Sequence, residues 1–274
     1  MKKKLTDKKK EEPTGVQVNK YIAASGFCSR READELIEQF RVSINNELVE
    51  LGARVQPGDI VAIDGEKIKL KQKQAIYIAL NKPVGVTSTT DPTDKTNIIY
   101  FVNHPKRIFP IGRLDKDSEG LILLTNDGDI VNKILRAGNE HEKEYIVTVD
   151  KAITGDFYGQ MARGIPVLGT TTQPCRVWST GNNRFKIILT QGLNRQIRRM
   201  CEYLGYKVTS LKRVRIMHLN LENLPTGKWR YLLPAEIEKL HDSSAGSVKT
   251  EEASIRKKTE RYGNKKSQKK NKYL

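Results

Sequence analysis

Apolar positions along this chain recur with two periods, and the switch between them marks its organisation. Ala33, Leu36, Ile37 and Phe40 recur at helical spacing, which predicts one buried stripe. Ser29 and Glu32 open that helix in a capping-box pattern, the hydroxyl accepting from an amide while the carboxylate reaches back. A shorter helix is expected over 18–24. After Phe40 the period falls to two, through Val42 and Ile44 and then Ile60–Ile63. Asn45-Asn46, Pro57-Gly58-Asp59 and Asp64-Gly65 punctuate these runs, so short hairpins are predicted. A polar, lysine-rich run over 69–74 reads as a hinge.

Beyond it the pattern lengthens. Ile76–Leu80 reads as a buried strand stopped by Asn81-Lys82-Pro83, and 84–96 as threonine-rich loop. Further strands are predicted at 108–110, 121–125, 145–149, 185–189, 213–216 and 229–232. Helices fit 129–136, 154–162, 194–204 and 234–240. Strands and helices mix without a βαβ rhythm, so the fold class is α+β, with a mostly antiparallel mixed sheet and flanking helices. The division is a basic tail at 1–15, a small unit at 16–74, a larger one at 75–240 and a second basic tail at 241–274.

Charge narrows the partners. The 274 residues include 49 lysines and arginines against 32 acids, a net +17, which favours a polyanion. Residues 1–13 hold six lysines and three acids, and 241–274 hold ten basic and four acidic residues. Neither stretch shows apolar periodicity, so both are expected to be disordered. The remainder is still basic. Three widely spaced cysteines and four histidines without ligand spacing point to a reducing, cytoplasmic setting with no metal. No run of 18 apolar residues and no secretory leader is present, so no membrane role is expected. No glycine-rich loop joins a strand to a helix in the nucleotide-binding manner, so no cofactor is expected.

Candidate chemistry gathers in Gly112-Arg113-Leu114-Asp115-Lys116-Asp117-Ser118-Glu119-Gly120. An aspartate there either closes a turn through its own side chain or is a carboxylate aimed into a cleft beside a cation. Residue type alone does not choose between Asp115 and Asp117. A second cluster is His141-Glu142-Lys143-Glu144-Tyr145, where Tyr145 starts a strand as rim packing or as part of a site. A third is Gln191–Met200, where Asn194 is expected to cap a helix whose inward stripe is Ile197, Met200, Cys201 and Leu204.

These three motifs, with the small unit before them, resemble the bacterial pseudouridine synthases that modify ribosomal RNA. The resemblance spans about 16–240. It implies conversion of uridine to pseudouridine in RNA without a cofactor or metal: N1–C1′ breaks, the uracil turns, and C5–C1′ forms. It assigns Asp115 as the nucleophile, Tyr145 to the active site, and Arg198 as the basic partner of the aspartate. It gives Arg113 the space vacated by the extruded base. Arg195 and Arg199 are expected to face RNA backbone, and Lys82, before Pro83, to be aimed at RNA or to serve structure.

The small unit resembles a ribosomal-protein RNA-binding domain, with Lys20, Arg30 and Arg31 on its RNA side. Relatives usually have glycine where Phe40 stands, so Phe40 implies a different helix exit or added packing. The phrases 110–117 and 133–139 resemble a subfamily acting on one uridine in a stem-loop near the peptidyl-transferase centre of 23S rRNA. Some of its relatives also modify a tRNA anticodon. Another 23S or 16S rRNA site is the nearest alternative. A non-catalytic RNA-binding ribosome-assembly protein is the alternative of a different class. Enclosing one base needs no second subunit, so a monomer is expected.

Overall fold

The computed structural model describes residues 14–70, 74–135 and 141–245. Residues 1–13 and 246–274 of the tails expected at 1–15 and 241–274, the centre of the 69–74 hinge and the end of the 133–139 phrase lie outside these residues. The chain divides into two units between Gln74 and Ala75.

The first unit runs β1 (Val16–Gln17), α1 (Val18–Ser25), α2 (Arg30–Glu38), β2 (Val42–Ile44), β3 (Glu47–Leu48), β4 (Arg54–Val55), β5 (Val61–Ile63) and β6 (Glu66–Ile68). The sheet order is β3-β2-β5-β6, and β1 pairs with β4. Val18 and Ile22 from α1, Ala33 and Ile37 from α2, and Val42, Val55, Val61 and Ile63 from the strands form the core. The capping box is complete: Glu32 N donates to Ser29 Oγ at 3.1 Å, and Ser29 N to Glu32 Oε2 at 2.6 Å. Phe40 departs from expectation. It takes the left-handed conformation itself, with φ 56°, so the helix leaves as it would through glycine. Its ring adds no core packing, being 68% exposed.

The second unit contains β7 (Tyr77–Lys82), α3 (Ile98–Val102), β8 (Phe109–Ile111), β9 (Glu119–Thr125), α4 (Gly128–Leu135), β10 (Lys143–Val149) and α5 (Phe157–Arg163). It continues with β11 (Pro166–Val167), β12 (Thr170–Thr171), β13 (Arg176–Gly181), β14 (Arg184–Leu189), α6 (Gln196–Tyr203), β15 (Val208–Ile216), β16 (Leu219–Asn220), β17 (Trp229–Tyr231) and α7 (Pro234–Ala245). The last five residues of α7 fall in the stretch expected to be tail.

The main sheet runs β13-β14-β10-β15-β9-β7-β17, with β16 beside β15 and β8 beside β9. Its pairings are antiparallel except β15 with β9. Alternation along β7 and β9 sends Ile78, Leu80, Ile122 and Leu124 to one core cluster and Tyr77, Ala79, Leu121 and Leu123 to the other. The first cluster includes residues of α3, α5 and α6, the second residues of α4 and α7. Burial on both faces is why residues 121–124 are unbroken hydrophobe instead of alternating.

Candidate active site

The loop between β8 and β9 carries the first motif, and its bounding glycines have separate reasons. Gly112 has φ 80°, and a Cβ there would collide with Leu135 of α4. Gly120 has φ 111° and lies against the Arg213 backbone too closely for any side chain. Between them the backbone is tied on several sides. Ser88 Oγ donates to Leu114 O at 2.7 Å, and Leu114 N to Ser88 Oγ at 3.2 Å. Gly85 N donates to Lys116 O at 2.8 Å. Arg198 Nη2 donates to Asp117 O at 2.9 Å and Ser118 Oγ at 3.2 Å.

A cleft of about 420 Å³ opens over this loop. Val84, Gly85, Thr87 and Ser88 line one part, and Arg113, Asp115, Asp117 and Arg195 another. The Asp115 side chain is one-third exposed. Arg113 is exposed at the cleft, and its guanidinium has no partner among the described residues. A solvated cation beside a carboxylate is placed to meet a polyanion before the carboxylate does.

The ion pairing differs from expectation. Arg198 pairs with Asp117, at 3.4 Å, and not with Asp115. The cation near Asp115 is Arg195, 3.7 Å from Oδ2, whose two terminal nitrogens also grip Asp117 at 3.2 and 3.0 Å. Partial burial pushes the Asp117 carboxyl up, but the Arg195 hydrogen bond and the Arg198 and Arg195 charges outweigh it and hold it below its ordinary range. Asp117 is thus a structural counter-ion within the motif, and Arg195, exposed at the cleft, is held there by the two carboxylates.

The helix motif is also rearranged. Asn194 does not cap α6; the capping position is Arg195, in the left-handed region with φ 49°. Gln196, buried, accepts from Leu193 N at 2.9 Å and closes the turn in its place. Arg199 donates to Asn194 O at 3.1 Å. Arg198 is 7% exposed and also donates to Val208 O at 3.2 Å.

Lys82 is not aimed at solvent. It is fully buried, and its Nζ donates to Pro83 O at 2.9 Å and Val86 O at 2.8 Å. It thereby fixes the loop that lines the cleft opposite Asp115. Burial, the largest influence, brings its amine down to about 8 despite the nearby Asp117 and Asp115. Tyr145 is 9% exposed and belongs to the same core cluster as Leu114, with no hydrogen-bond partner for its hydroxyl among the described residues. On β10 it stands opposite Ile187 on one side and Arg213 on the other.

In the first unit Lys20 and Arg31 are exposed, whereas Arg30 donates to Gln17 Oε1 at 2.9 Å. Sequence reasoning passed over Ser88, Ser118 and Arg213. For Arg213 a signal existed: it shares the inward alternation of Leu211, which is unusual for a cation. Among the described residues no three His, Cys, Asp or Glu side chains converge on a metal-sized site, and no helix is long and apolar enough to cross a membrane.

Comparison with known proteins agrees with this geometry. A family profile described as RNA pseudouridylate synthase matches residues 76–203, and one described as S4 domain matches 18–61. The chain is 54% identical over 240 residues to the dual-specificity RNA pseudouridine synthase RluF of Escherichia coli, covering 86% of this chain and 83% of that one. It is 36% identical over 233 residues to the ribosomal large subunit pseudouridine synthase B of Bacillus subtilis, covering 82% and 95%. A crystal structure of a pseudouridylate synthase superposes with a TM-score of 0.62 at 31% identity, over 82% of this chain and all of that one.

Proposed function

The chain belongs to the RNA pseudouridylate synthase family, with an N-terminal S4 domain, and from that premise we propose a substrate and a division of labour among its residues. The substrate is 23S rRNA, at the 2604-type uridine in a stem-loop near the peptidyl-transferase centre, with a tRNA anticodon uridine as second target. The large-subunit and dual-specificity names of its relatives support this choice. The protein acts as a monomer in the cytoplasm.

Asp115 is the nucleophile. The observation that carries this is its place: a part-exposed carboxylate on a loop tied through residues 114, 116, 117 and 118, at the cleft, 3.7 Å from the Arg195 cation. A fixed carboxylate needs little reorganisation when the sugar carbon arrives, which is the advantage of preorganisation. Arg113 enters the duplex where the base leaves and stacks or binds phosphate there, while extrusion costs a few kcal/mol that pocket contacts recover. The Tyr145 hydroxyl, without a partner among the described residues, is available to the sugar or the detached uracil. Lys20, Arg30 and Arg31 of the S4 domain hold RNA backbone. Isomerisation moves one glycosidic bond from N1 to C5 and one proton from C5 to N1, with no net redox change, so Asp115, Tyr145 and the ion-paired arginines suffice as catalytic parts.

Nucleotide-resolution pseudouridine mapping of rRNA and tRNA tests this, in a deletion strain carrying wild-type or Asp115→Asn protein. One 23S site lost on deletion and restored only by wild type is the expected result. Restoration by Asp115→Asn removes the nucleophile assignment, and an unchanged map removes the substrate.

A further inference from the structure

The main sheet has one parallel joint, between β15 and β9, and it is two residue pairs long: Lys212 opposite Glu119 and Arg213 opposite Gly120. Across the other edge of β15, Arg213 stands opposite Tyr145. The loop carrying Asp115 enters β9 at this joint. One residue therefore lies between the strand that bears the tyrosine and the loop that bears the carboxylate.

The Arg213 side chain reaches both ends of that loop. Its Nε donates to Leu121 O at 2.6 Å and its Nη1 to Arg113 O at 3.4 Å, and the residue is 4% exposed. The rigid guanidinium plane thus spans the two ends of the segment that contains Asp115. Its third nitrogen, Nη2, is buried with no partner among the described residues. A buried cation is a poor device for stability, since an apolar side chain of similar volume would fill the space without desolvating a charge. What a guanidinium supplies here and an apolar side chain does not is a fixed distance between two carbonyls. The missing side chain at Gly120 serves the same end, because it lets β9 lie against Arg213.

We propose that Arg213 is a positioning residue for the isomerisation: it clamps the Asp115 loop at Arg113 and Leu121 and holds it in register with Tyr145. The proposal rests on the reading of Asp115 as nucleophile. The other ties hold the middle of the loop, at 114 and 116–118, and Arg213 holds its two ends; a displacement of about 1 Å at the reacting carboxylate costs on the order of 100-fold in rate. The clamp opposes that displacement without touching RNA.

Arg213→Gln and Arg213→Lys, compared in the full chain with wild type and Asp115→Asn, test the clamp. Three quantities are read: single-turnover rate on an unmodified 23S rRNA transcript, affinity for that transcript, and amide hydrogen exchange. For Arg213→Gln the rate should fall about 100-fold, affinity should stay within about threefold, and exchange should quicken over 112–121 but not in α5 or β14. Arg213→Lys, with the charge kept and one carbonyl in reach, should fall between. A wild-type rate in folded Arg213→Gln overturns the proposal, as does exchange that quickens throughout the unit in step with the rate loss. Should Arg213→Gln not fold, Arg213→Lys decides, and wild-type rate with wild-type loop exchange overturns the clamp. An active Asp115→Asn protein defeats the nucleophile reading instead, and exchange at 112–121 then still reports on the clamp by itself.

Discussion

In the first unit Lys20 and Arg31 stand in solvent on helices whose opposite faces make the core; in the second, Lys82, Arg198 and Arg213 are buried and donate to backbone carbonyls. The same charge does two physical jobs. Solvated cations act at a distance on phosphate and lose their effect as salt screens them. Buried cations act over one hydrogen bond, are shielded from salt, and set the geometry of the loops around the cleft. On the proposed reading, capture of RNA falls to the first set and alignment of the reacting groups to the second, so variants in the two sets should fail differently.

The largest effect is expected at Arg198. Arg198→Met removes donors from Asp117 O, Ser118 Oγ and Val208 O, with a stability loss of about 1–3 kcal/mol for the stranded carbonyls. Turnover should fall by at least about 100-fold while RNA affinity and its salt dependence change little. Equal losses in affinity and turnover would show that Arg198 belongs with the capturing set.

Two lysines of the second unit sharpen the comparison through pH. Lys82 and Lys143, brought down to about 8 chiefly by burial, shed protons in the folded protein while the unfolded chain still binds them. Stability of the second unit should therefore rise above pH 8, by up to about 1.4 kcal/mol per pH unit for each lysine. Above pH 9 the trend is opposed, because burial holds Cys175 up to about 11 and Cys201 up to about 12 and the unfolded thiols ionise first. Denaturation midpoints between pH 8 and 9 check this, and Lys82→Met should flatten the rise. An unaltered slope in that variant would mean Lys82 stays charged in its burial.

A smaller effect belongs to the solvated set. In Lys20→Ala/Arg31→Ala, affinity for rRNA at low salt should drop about tenfold, and the slope of log affinity on log salt should flatten by about one to two. Turnover at saturating RNA should hold. A lowered turnover would place the S4 domain in alignment as well as capture.

Much of this was legible from period and motif. The capping box at Ser29, the strand at 121–125 and the strand that carries Tyr145 need only local pattern, and the folded chain realises them locally. The direction of each cation was less accessible. Arg198 goes to Asp117, Arg195 reaches Asp115 and Asp117 from the cleft, and a left-handed residue starts α6 where a capping Asn194 was expected. Lys82 follows the inward alternation of Ile78 and Leu80, a cue that the proline after it obscured. Arg213 depends on a parallel joint between strands some ninety residues apart, and pairing over that separation leaves no local trace beyond a cation at an inward position.

Phe40 provides the finest test, since it lies in the first unit and involves no charge. It holds φ 56°, its amide donates to Ile37 O at 3.0 Å, and Arg41 N donates to Leu36 O at 3.1 Å, the paired bonds of a left-handed helix end. A side chain in this region costs about 1–2 kcal/mol, and glycine avoids that while adding some entropy to the unfolded chain. The net gain for Phe40→Gly should be about 0.5 kcal/mol, whereas Phe40→Ala keeps the strain and should gain nothing. Both tryptophans lie in the second unit, so hydrogen exchange in α1 and α2 is the measurement that isolates the first. Slower exchange in the glycine variant, with RNA affinity unchanged, would show a strained helix end that the capturing surface does not use. Faster exchange would mean that the exposed ring contributes more through Val49 and Leu51, beside it in a shallow groove, than its backbone costs.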